Sequence, residues 1–380
     1  MKELVVLTCN PQKVSECSKR ITNAFERDAW VQLLPPIARQ ISIPQSLLPR
    51  GPGVVISSGG SSGGPHYCLQ PRTHLNQSAL ATGLWLKEQK INPKNCLILN
   101  PLPIHHVSGL MPWWRSRTWG AEHHWLIPNL MRDPIALENS YRSFSDKEHK
   151  PILISLVPTQ LKRLLDHPAG LRWLKCLAVI WVGGAGLSVS LKETARRQGV
   201  RLAPCYGATE TAAMVAALTP EEFLNGKTGC GSPLLDVELR IGKNDALYVR
   251  TPRLAKAIWK DGELEELKDK AGWWHSGDAA ELIQNASKRE LKIIGRIDTA
   301  IHSGGETIFP DKLETELIEA AKNAKLSIDA LILLPVQDEE WGQRLIALIK
   351  LWRDYAANDQ QRYLKMLKAI AKDWPPSERP

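Results

Sequence analysis

Apolar positions along the 380-residue chain follow two periods that alternate. GVVIS (53–57) is a short continuous apolar run, which predicts a buried strand entering a glycine-rich loop. THLNQSALATGLWLKEQ (73–89) has helical apolar spacing, and CLIL (96–99) is strand-like. PILISLVP (151–158) is an apolar run stopped by proline ahead of a helical TQLKRLLDH. KCLAVIWVGGAG (175–186) reads as a strand running into glycines, and RLAPCYG (201–207) as another strand. Between them SVSLKETARRQG (188–199) predicts a helix with a serine cap and a closing glycine. Strands alternating with helices imply an α/β layered domain with an at least partly parallel sheet. Residues 1–50 are mixed in pattern, with one short helix expected around 15–28.

From about 228 to 295 the pattern shortens to VELRI, ALYVR, AELI and LKIIG with turn residues between, which predicts a small β-rich subdomain. After Gly295-Arg296-Ile297-Asp298 it changes again: PDKLETELIEAAKNA is a helix, DALILLPV and LIALIKLW are strands, and YAANDQQRYLKMLKAIAKDW is a long helix. The expected organisation is a large N-terminal α/β domain (1–297) and a small C-terminal α+β domain (298–380).

Composition narrows the function classes. Hydrophobic residues make up 43% and charged residues 23%, ordinary for a globular protein. No apolar run approaches the roughly 20 residues that span a bilayer. MKELVVLTCNPQK has an acidic third residue and too short an apolar stretch for a secretory signal, so a cytoplasmic protein without a membrane anchor is expected. Seven scattered cysteines without a CxxC pair argue against a disulfide framework and against a structural zinc site. The net charge of +9 suits an anionic ligand such as a nucleotide, while the absence of a long Lys/Arg block argues against a nucleic-acid role. Oligomeric state stays open.

The loop SSGGSSGGPHY (57–67) has the small residues of a phosphate cradle and equally of a flexible linker. It lacks the GK[ST] that ends a P-loop. Four further stretches decide between the two. They are Tyr206-Gly207-Ala208-Thr209-Glu210-Thr211, Trp274-His275-Ser276-Gly277-Asp278, Gly295-Arg296-Ile297-Asp298 and Ser303-Gly304-Gly305-Glu306. In this order and spacing they resemble the adenylate-forming superfamily of acyl-CoA synthetases, from about residue 53 onward, with His66 where the family's phosphate loop has lysine.

The resemblance implies ATP, Mg²⁺ and coenzyme A as cofactor and co-substrates. It assigns Glu210 to Mg²⁺ and Thr209 to the α-phosphate, both as catalytic residues. Ser58, Gly59, Gly60, Ser61, Ser62 and Gly63 would wrap the pyrophosphate. Asp278 would take the ribose hydroxyls, with Arg296 beside the ribose or phosphate. Tyr206 and Gly207 would face the adenine, with Gly183, Gly184 and Ala185 offering backbone to it. Asp298 stands at the hinge, and Gly304 and Gly305 would border the path of coenzyme A.

Two segments bear on the acid. PIHHVSGLMPWWRSRTWGAEH (103–123) and SLVPTQL (155–161) look like the o-succinylbenzoate–CoA ligases of menaquinone and phylloquinone biosynthesis, most of all the cyanobacterial and plastid branch. An aromatic diacid needs donors for its unreacted carboxylate, and His106, Ser108, Arg115 and Thr159 are the candidates. His106 is also taken as catalytic, and Trp113 or Trp114 as a ring wall, although paired tryptophans are more often core filler.

Two departures accompany the likeness. The phosphate loop lies nearer the N-terminus than in most relatives. The family's adenylation lysine follows a Trp-Pro…Arg-Pro stretch, here AKDWPPSERP ending at Pro380, and no residue matches it, so the chain is expected to bind the acyl-adenylate but to form it slowly. Two other readings use the same residues: a ligase for another aryl or acyl acid, and a non-catalytic adenylate-binding protein.

Overall fold

A computed structural model describes residues 3–37, 42–59, 66–145, 150–285, 288–326, 328–351 and 357–380. The first sheet opens with strand β1 (Leu4–Thr8), helix α1 (Val14–Glu26) and strand β2 (Trp30–Leu34), with β1 and β2 parallel. Strand β3 (Gly53–Ser58) adds in parallel, and β4 (His66–Pro71) returns antiparallel with His66 opposite Ser58. The chain then turns into α2 (Arg72–Glu88), the helix expected at 73–89.

The second sheet holds β5 (Leu97–Asn100), β6 (Glu122–Trp125), β7 (Ile152–Leu156), β8 (Val179–Val182) and β9 (Leu202–Ala208), all parallel. Helices α3 (Val107–Trp119), α4 (Pro134–Ser145), α5 (Pro158–Leu165), α6 (Pro168–Lys175) and α7 (Val189–Arg197) connect them. The helix expected in TQLKRLLDH is α5, and Pro168 begins a further one, α6, whose first turn is capped by the His167 ring accepting from the Ala169 N–H. Ser188 caps α7 as its sequence predicts, accepting from the Leu191 N–H. An antiparallel β10 (Ala213–Ala217), the short helix α8 (Pro220–Leu224) and β11 (Ser232–Pro233) close this edge.

Strands β12 (Glu238–Ile241) and β13 (Ala246–Arg250) start a third sheet. Strands β14 (Ile258–Lys260) and β15 (Glu263–Glu265) instead join the first, where β14 pairs with β4 and buries Trp259 against Leu69 and Trp30. Strands β16 (Trp274–Asn285) and β17 (Lys288–Arg296) complete the third sheet. Residues 228–295 are thus strand-rich as expected, but they serve three sheets.

The last sheet contains β18 (Ile301–Ser303), β19 (Glu306–Ile308), β20 (Ile328–Asp338) and β21 (Gly342–Leu351). Helices α9 (Pro310–Asn323) and α10 (Ala357–Ile370) accompany it, and residues from Ile301 to Leu367 bury a core of their own. The α2–α3 pair lies between the first two sheets. Leu75, Leu110 and Met111 fill the core under the first sheet, and Ala81 and Trp85 pack with Trp181 under the second. Among the described residues no helix is long and apolar enough to cross a membrane.

Candidate active site

In the second sheet the order is β9-β8-β7-β5-β6, so the chain leaves β5 toward β6 on one side and returns to β7 on the other. Open parallel sheets bind ligands outside the carboxyl ends of their strands, at such a reversal. The loop after β5 carries His105 and His106 and leads into α3, whose first turn bears an exposed Ser108. The loop after β7 leads into α5, with Thr159 exposed in its first turn. Pro158 starts α5 at the one position where a missing N–H costs nothing, and the Gln160 side chain accepts from the Val157 N–H at 3.2 Å. The loop after β8 carries Gly183, Gly184 and Ala185. A Cβ on Gly183 would stand 3.1 Å from Cys205 Sγ, and one on Gly184 3.9 Å from Val157, so this loop lies between the ends of β7 and β9.

The end of β9 is where distant segments meet. Ser58 Oγ donates to Glu210 Oε1 at 2.8 Å, and His66 Nε2 stands 2.8 Å from the same oxygen. On β4 the residues His66, Cys68 and Gln70 alternate with Tyr67 and Leu69, so all three face the 209–210 turn while the apolar pair enters the core on the other face. Gln70 Nε2 donates to the carbonyls of Thr209 (2.8 Å) and Glu210 (3.0 Å). Burial pushes the Glu210 carboxyl up, but hydrogen bonds from His66, its own backbone N–H and Ser58 outweigh this and hold it below its ordinary value.

The turn itself is strained. Ala212 and Ala213 adopt φ of +51° and +85°, conformations that a residue with a Cβ rarely takes. Three polar groups fix it. Thr211 Oγ1 donates to Ala213 O, Ser78 Oγ donates to Ala212 O, and the fully buried Arg253 donates to the carbonyls of Thr211 and Met214 while pairing with Asp236. Gly207 is needed one step earlier, since a Cβ there would meet Ala213 O at 2.3 Å.

Four residues before Glu210, Tyr206 donates its hydroxyl hydrogen to Asp278 Oδ2 at 2.5 Å. Asp278 stands opposite Arg296 in the β16–β17 ladder, and Arg296 Nη1 reaches its Oδ1 at 3.4 Å. The same guanidinium makes a two-point bond to Asp298 at 3.1 and 2.9 Å. Burial raises the Asp278 carboxyl despite Tyr206 and Arg296, and burial together with the Asp278 charge pushes the Tyr206 phenol well up.

Arg115 is buried on α3, with its guanidinium 5.2 Å from the Trp181 ring and no partner for Nε. Burial, partly offset by Cys205 and reinforced by Arg253, lowers it to about 10. His105, buried beside His106 with ring centroids 4.5 Å apart, is lowered to about 4 by burial and by its neighbour. Trp113 and Trp114 pack into the core instead of standing as an open wall, and Trp114 meets Phe25 edge-on and donates to Asn76. Gly304 and Gly305 form a two-residue turn between β18 and β19. Gly60, Ser61, Ser62 and Gly63 lie outside the described residues.

The structure therefore brings together Ser58, Thr209 and Glu210, and separately Tyr206, Asp278, Arg296 and Asp298. Sequence reasoning missed Gln70, Ser78 and Arg253, which hold the turn. Gln70 alone had a visible signal, as the last polar position of the alternating HYCLQP.

A family model described as "AMP-binding enzyme" matches residues 7–261. The 2-succinylbenzoate–CoA ligase of Escherichia coli K12 is 33% identical over 264 residues, covering 70% of this chain and 51% of that protein. The enzyme of the same name from Salmonella typhimurium is 33% identical over 295 residues, covering 77% and 56%. The chain thus spans about half the length of the curated relatives it matches. The o-succinylbenzoate CoA synthetase of Bacillus subtilis, solved with the acyl-adenylate intermediate OSB-AMP, shares the fold with a TM-score of 0.71 at 19% identity, covering 100% of this chain and 83% of that one. With the matched segment spanning both sheets that meet at the end of β9, the chain belongs to the AMP-binding enzyme family.

Proposed function

We propose that the chain is an AMP-forming acid–thiol ligase, which activates o-succinylbenzoate as its acyl-adenylate and then forms the coenzyme A thioester in menaquinone or phylloquinone biosynthesis. One observation carries the reading. A single strand end, residues 206–210, holds a ribose-side carboxylate through Tyr206 and a phosphate-side cluster through Glu210, at the carboxyl edge of the sheet that reverses between β5 and β7.

A carboxylate is a poor acyl donor because its leaving group would be oxide. Attack of its oxygen on the α-phosphorus of ATP forms the P–O bond of an acyl-adenylate and expels pyrophosphate. Attack of the coenzyme A thiol on the acyl carbon then expels AMP. In this reading Ser58 and the loop from Gly59 to Gly63 hold the departing pyrophosphate through hydroxyls and N–H groups. Thr209 contacts the α-phosphate, and Asp278, oriented by Tyr206, accepts the two ribose hydroxyls. The Tyr206 ring and the backbone of Gly183, Gly184, Ala185 and Gly207 face the adenine, with Arg296 at the ribose. Glu210, buried yet held ionised, offers the hard oxygen donor that fits Mg²⁺, and the ion bound there supplies charge neutralisation for the triphosphate.

For the acid, Arg115 is the donor for the second carboxylate. It is buried beside the Trp181 ring with its Nε unpartnered, while the loop after β5 carries His106 and the first turns of α3 and α5 carry Ser108 and Thr159 at the β5–β7 reversal. Residues 298–380 are read as a mobile C-terminal domain turning about Asp298 against 1–297, with Gly304 and Gly305 beside the path of the pantetheine arm. The setting is the cytoplasm, and the partners are the acid, ATP and coenzyme A.

The test is a mass-spectrometric assay for acyl-AMP and acyl-CoA with o-succinylbenzoate, ATP, Mg²⁺ and coenzyme A. Both products are expected, with Glu210→Gln slowed by about 100-fold or more. Equal turnover of benzoate would replace the diacid with a simpler aryl acid. Binding of an acyl-adenylate analogue without either product would leave a non-catalytic adenylate-binding protein.

A further inference from the structure

His66, where the resemblance expects a lysine, places its ring nitrogen 2.8 Å from Glu210 Oε1. His66 and Cys68 lie two residues apart on β4 and share the face that meets the Glu210 turn. The imidazole nitrogen, the Cys68 thiol sulfur and a Glu210 carboxylate oxygen lie within 4.8 Å of one another. Cys68 is fully buried, Glu210 nearly so, and His66 keeps an edge toward solvent. Ligand atoms around a tetrahedral ion with bonds of about 2.0–2.3 Å stand about 3.3–3.8 Å apart. The His66–Glu210 pair, now 2.8 Å apart, opens by about half an ångström, and the longer gaps close by about an ångström or less, through side-chain rotation.

We infer that His66 Nε2, Cys68 Sγ and the Glu210 carboxylate form a binding site for one zinc-class divalent ion, with a fourth position open to solvent. Nitrogen, sulfur and carboxylate oxygen are the donors of zinc and cobalt, whereas magnesium takes oxygen alone and has no use for the thiol. The spacing that excludes a CxxC site does not bear on this one, because Glu210 lies 144 residues beyond His66 and only the folded hairpin brings it near. On binding, the thiol proton goes to solvent and His66 presents Nε2 as the neutral Nδ1–H tautomer. Ser58 Oγ, already bonded to Glu210, stays as the group that orients the carboxylate. The consequence for catalysis rests on the ligase reading: zinc would occupy the carboxylate that Mg²⁺–ATP needs and would inhibit competitively with it.

The binding test uses neither nucleotide nor acid, so its failure is distinct from failure of that reading. Chelator-treated protein is titrated with CoCl₂ while thiolate-to-cobalt absorption is followed, and with ZnCl₂ by calorimetry. One ion per chain is expected, with the thiolate band lost in Cys68→Ser and retained in Cys176→Ser at an exposed cysteine. His66→Lys should weaken zinc binding about tenfold or more. Circular dichroism checks that each variant is folded. Should Cys68→Ser not fold, zinc-edge X-ray absorption on the unmodified protein must show one sulfur neighbour. A missing thiolate band at one equivalent of cobalt, a band unchanged in Cys68→Ser, or a zinc edge without sulfur overturns the site.

Discussion

Tyr206 and Asp278, 72 residues apart, share one hydrogen across 2.5 Å, and this bond ties the end of β9 to the third sheet. Asp278 is mostly buried, and among the described residues its second contact, from Arg296, is long at 3.4 Å. Removing the phenol hydrogen therefore leaves a desolvated carboxylate short of a donor. Tyr206→Phe is expected to cost about 2 kcal/mol of stability, read from the shift in urea midpoint at constant slope. It should also weaken AMP binding, whereas a purely packing role for Tyr206 would leave both unchanged.

Two carboxyls of the site are displaced in opposite directions, and the sign is testable. Asp278 is raised in the fold by burial, so its contribution is fully present below its ordinary value of 3.8 and is lost as pH rises through the folded value. Asp278→Asn should therefore gain on the unmodified protein as pH rises from about 4 toward neutral. Glu210 is lowered by His66, its own N–H and Ser58 against the opposing effect of burial, so its contribution is present above 4.5 and is lost as pH falls through the folded value. Glu210→Gln should be most destabilised near neutrality, with the gap narrowing in acid. Denaturant melts across pH for both variants should give slopes of opposite sign.

Arg115 sets stability against function. A buried guanidinium without a carboxylate partner is a cost to the fold, partly offset by the Trp181 ring 5.2 Å away. Arg115→Met, close in volume and apolar, should leave the melting temperature unchanged or raised. The same change should raise the KM for o-succinylbenzoate at least about tenfold and leave the KM for benzoate nearly unaltered, because only the diacid has a second carboxylate to lose. A fall in melting temperature with no change in KM would make Arg115 a packing residue.

Arg253 holds the strained turn from below. Its guanidinium spans Thr211 O at 2.6 Å, Met214 O at 2.9 Å and Asp236 at 2.7 Å, with no exposed surface. Arg253→Met would leave Asp236 and two carbonyls without their donor, an expected loss of about 3–5 kcal/mol. Arg253→Lys keeps the charge but not the planar fork and should recover only part of it. Urea unfolding of the two variants gives the comparison.

The elements that sequence pattern revealed are those whose period is local. Ser188 and Gly199 frame α7, and the 73–89 spacing matches α2 within a residue at each end. Helix α3 was hidden because it is buried almost all round and carries Pro112 inside, so no polar stripe marks it. Strand β2 was hidden by Gln32, a fully buried polar residue in an otherwise apolar WVQLL. At the candidate site, Thr209, Glu210 and Asp278 are named by the resemblance alone. Ser78 and Arg253 are not named, since their targets lie 134 and 42 residues away and neither sits in a motif. The tryptophan pair misled for a related reason: composition shows large rings, and only packing shows that Phe25 and Asn76 take up Trp114.

Gly304 and Gly305 separate a structural demand from a functional one. Both have positive φ, +58° and +85°, as the two central residues of a type I′ hairpin turn require. A Cβ on Gly304 would meet the Trp341 ring at 2.6 Å, while one on Gly305 would meet nothing within 4 Å. Gly304→Ala should therefore destabilise the last sheet by about 1–3 kcal/mol, and Gly305→Ala by about 1 kcal/mol from backbone strain alone. If the turn borders the path of coenzyme A, Gly305→Ala puts a methyl into open space that the pantetheine arm uses. Acyl-AMP formation should then persist while thioester formation falls several-fold, measured as separate half-reactions. Equal losses in both steps would reduce the glycine pair to a turn that joins two strands.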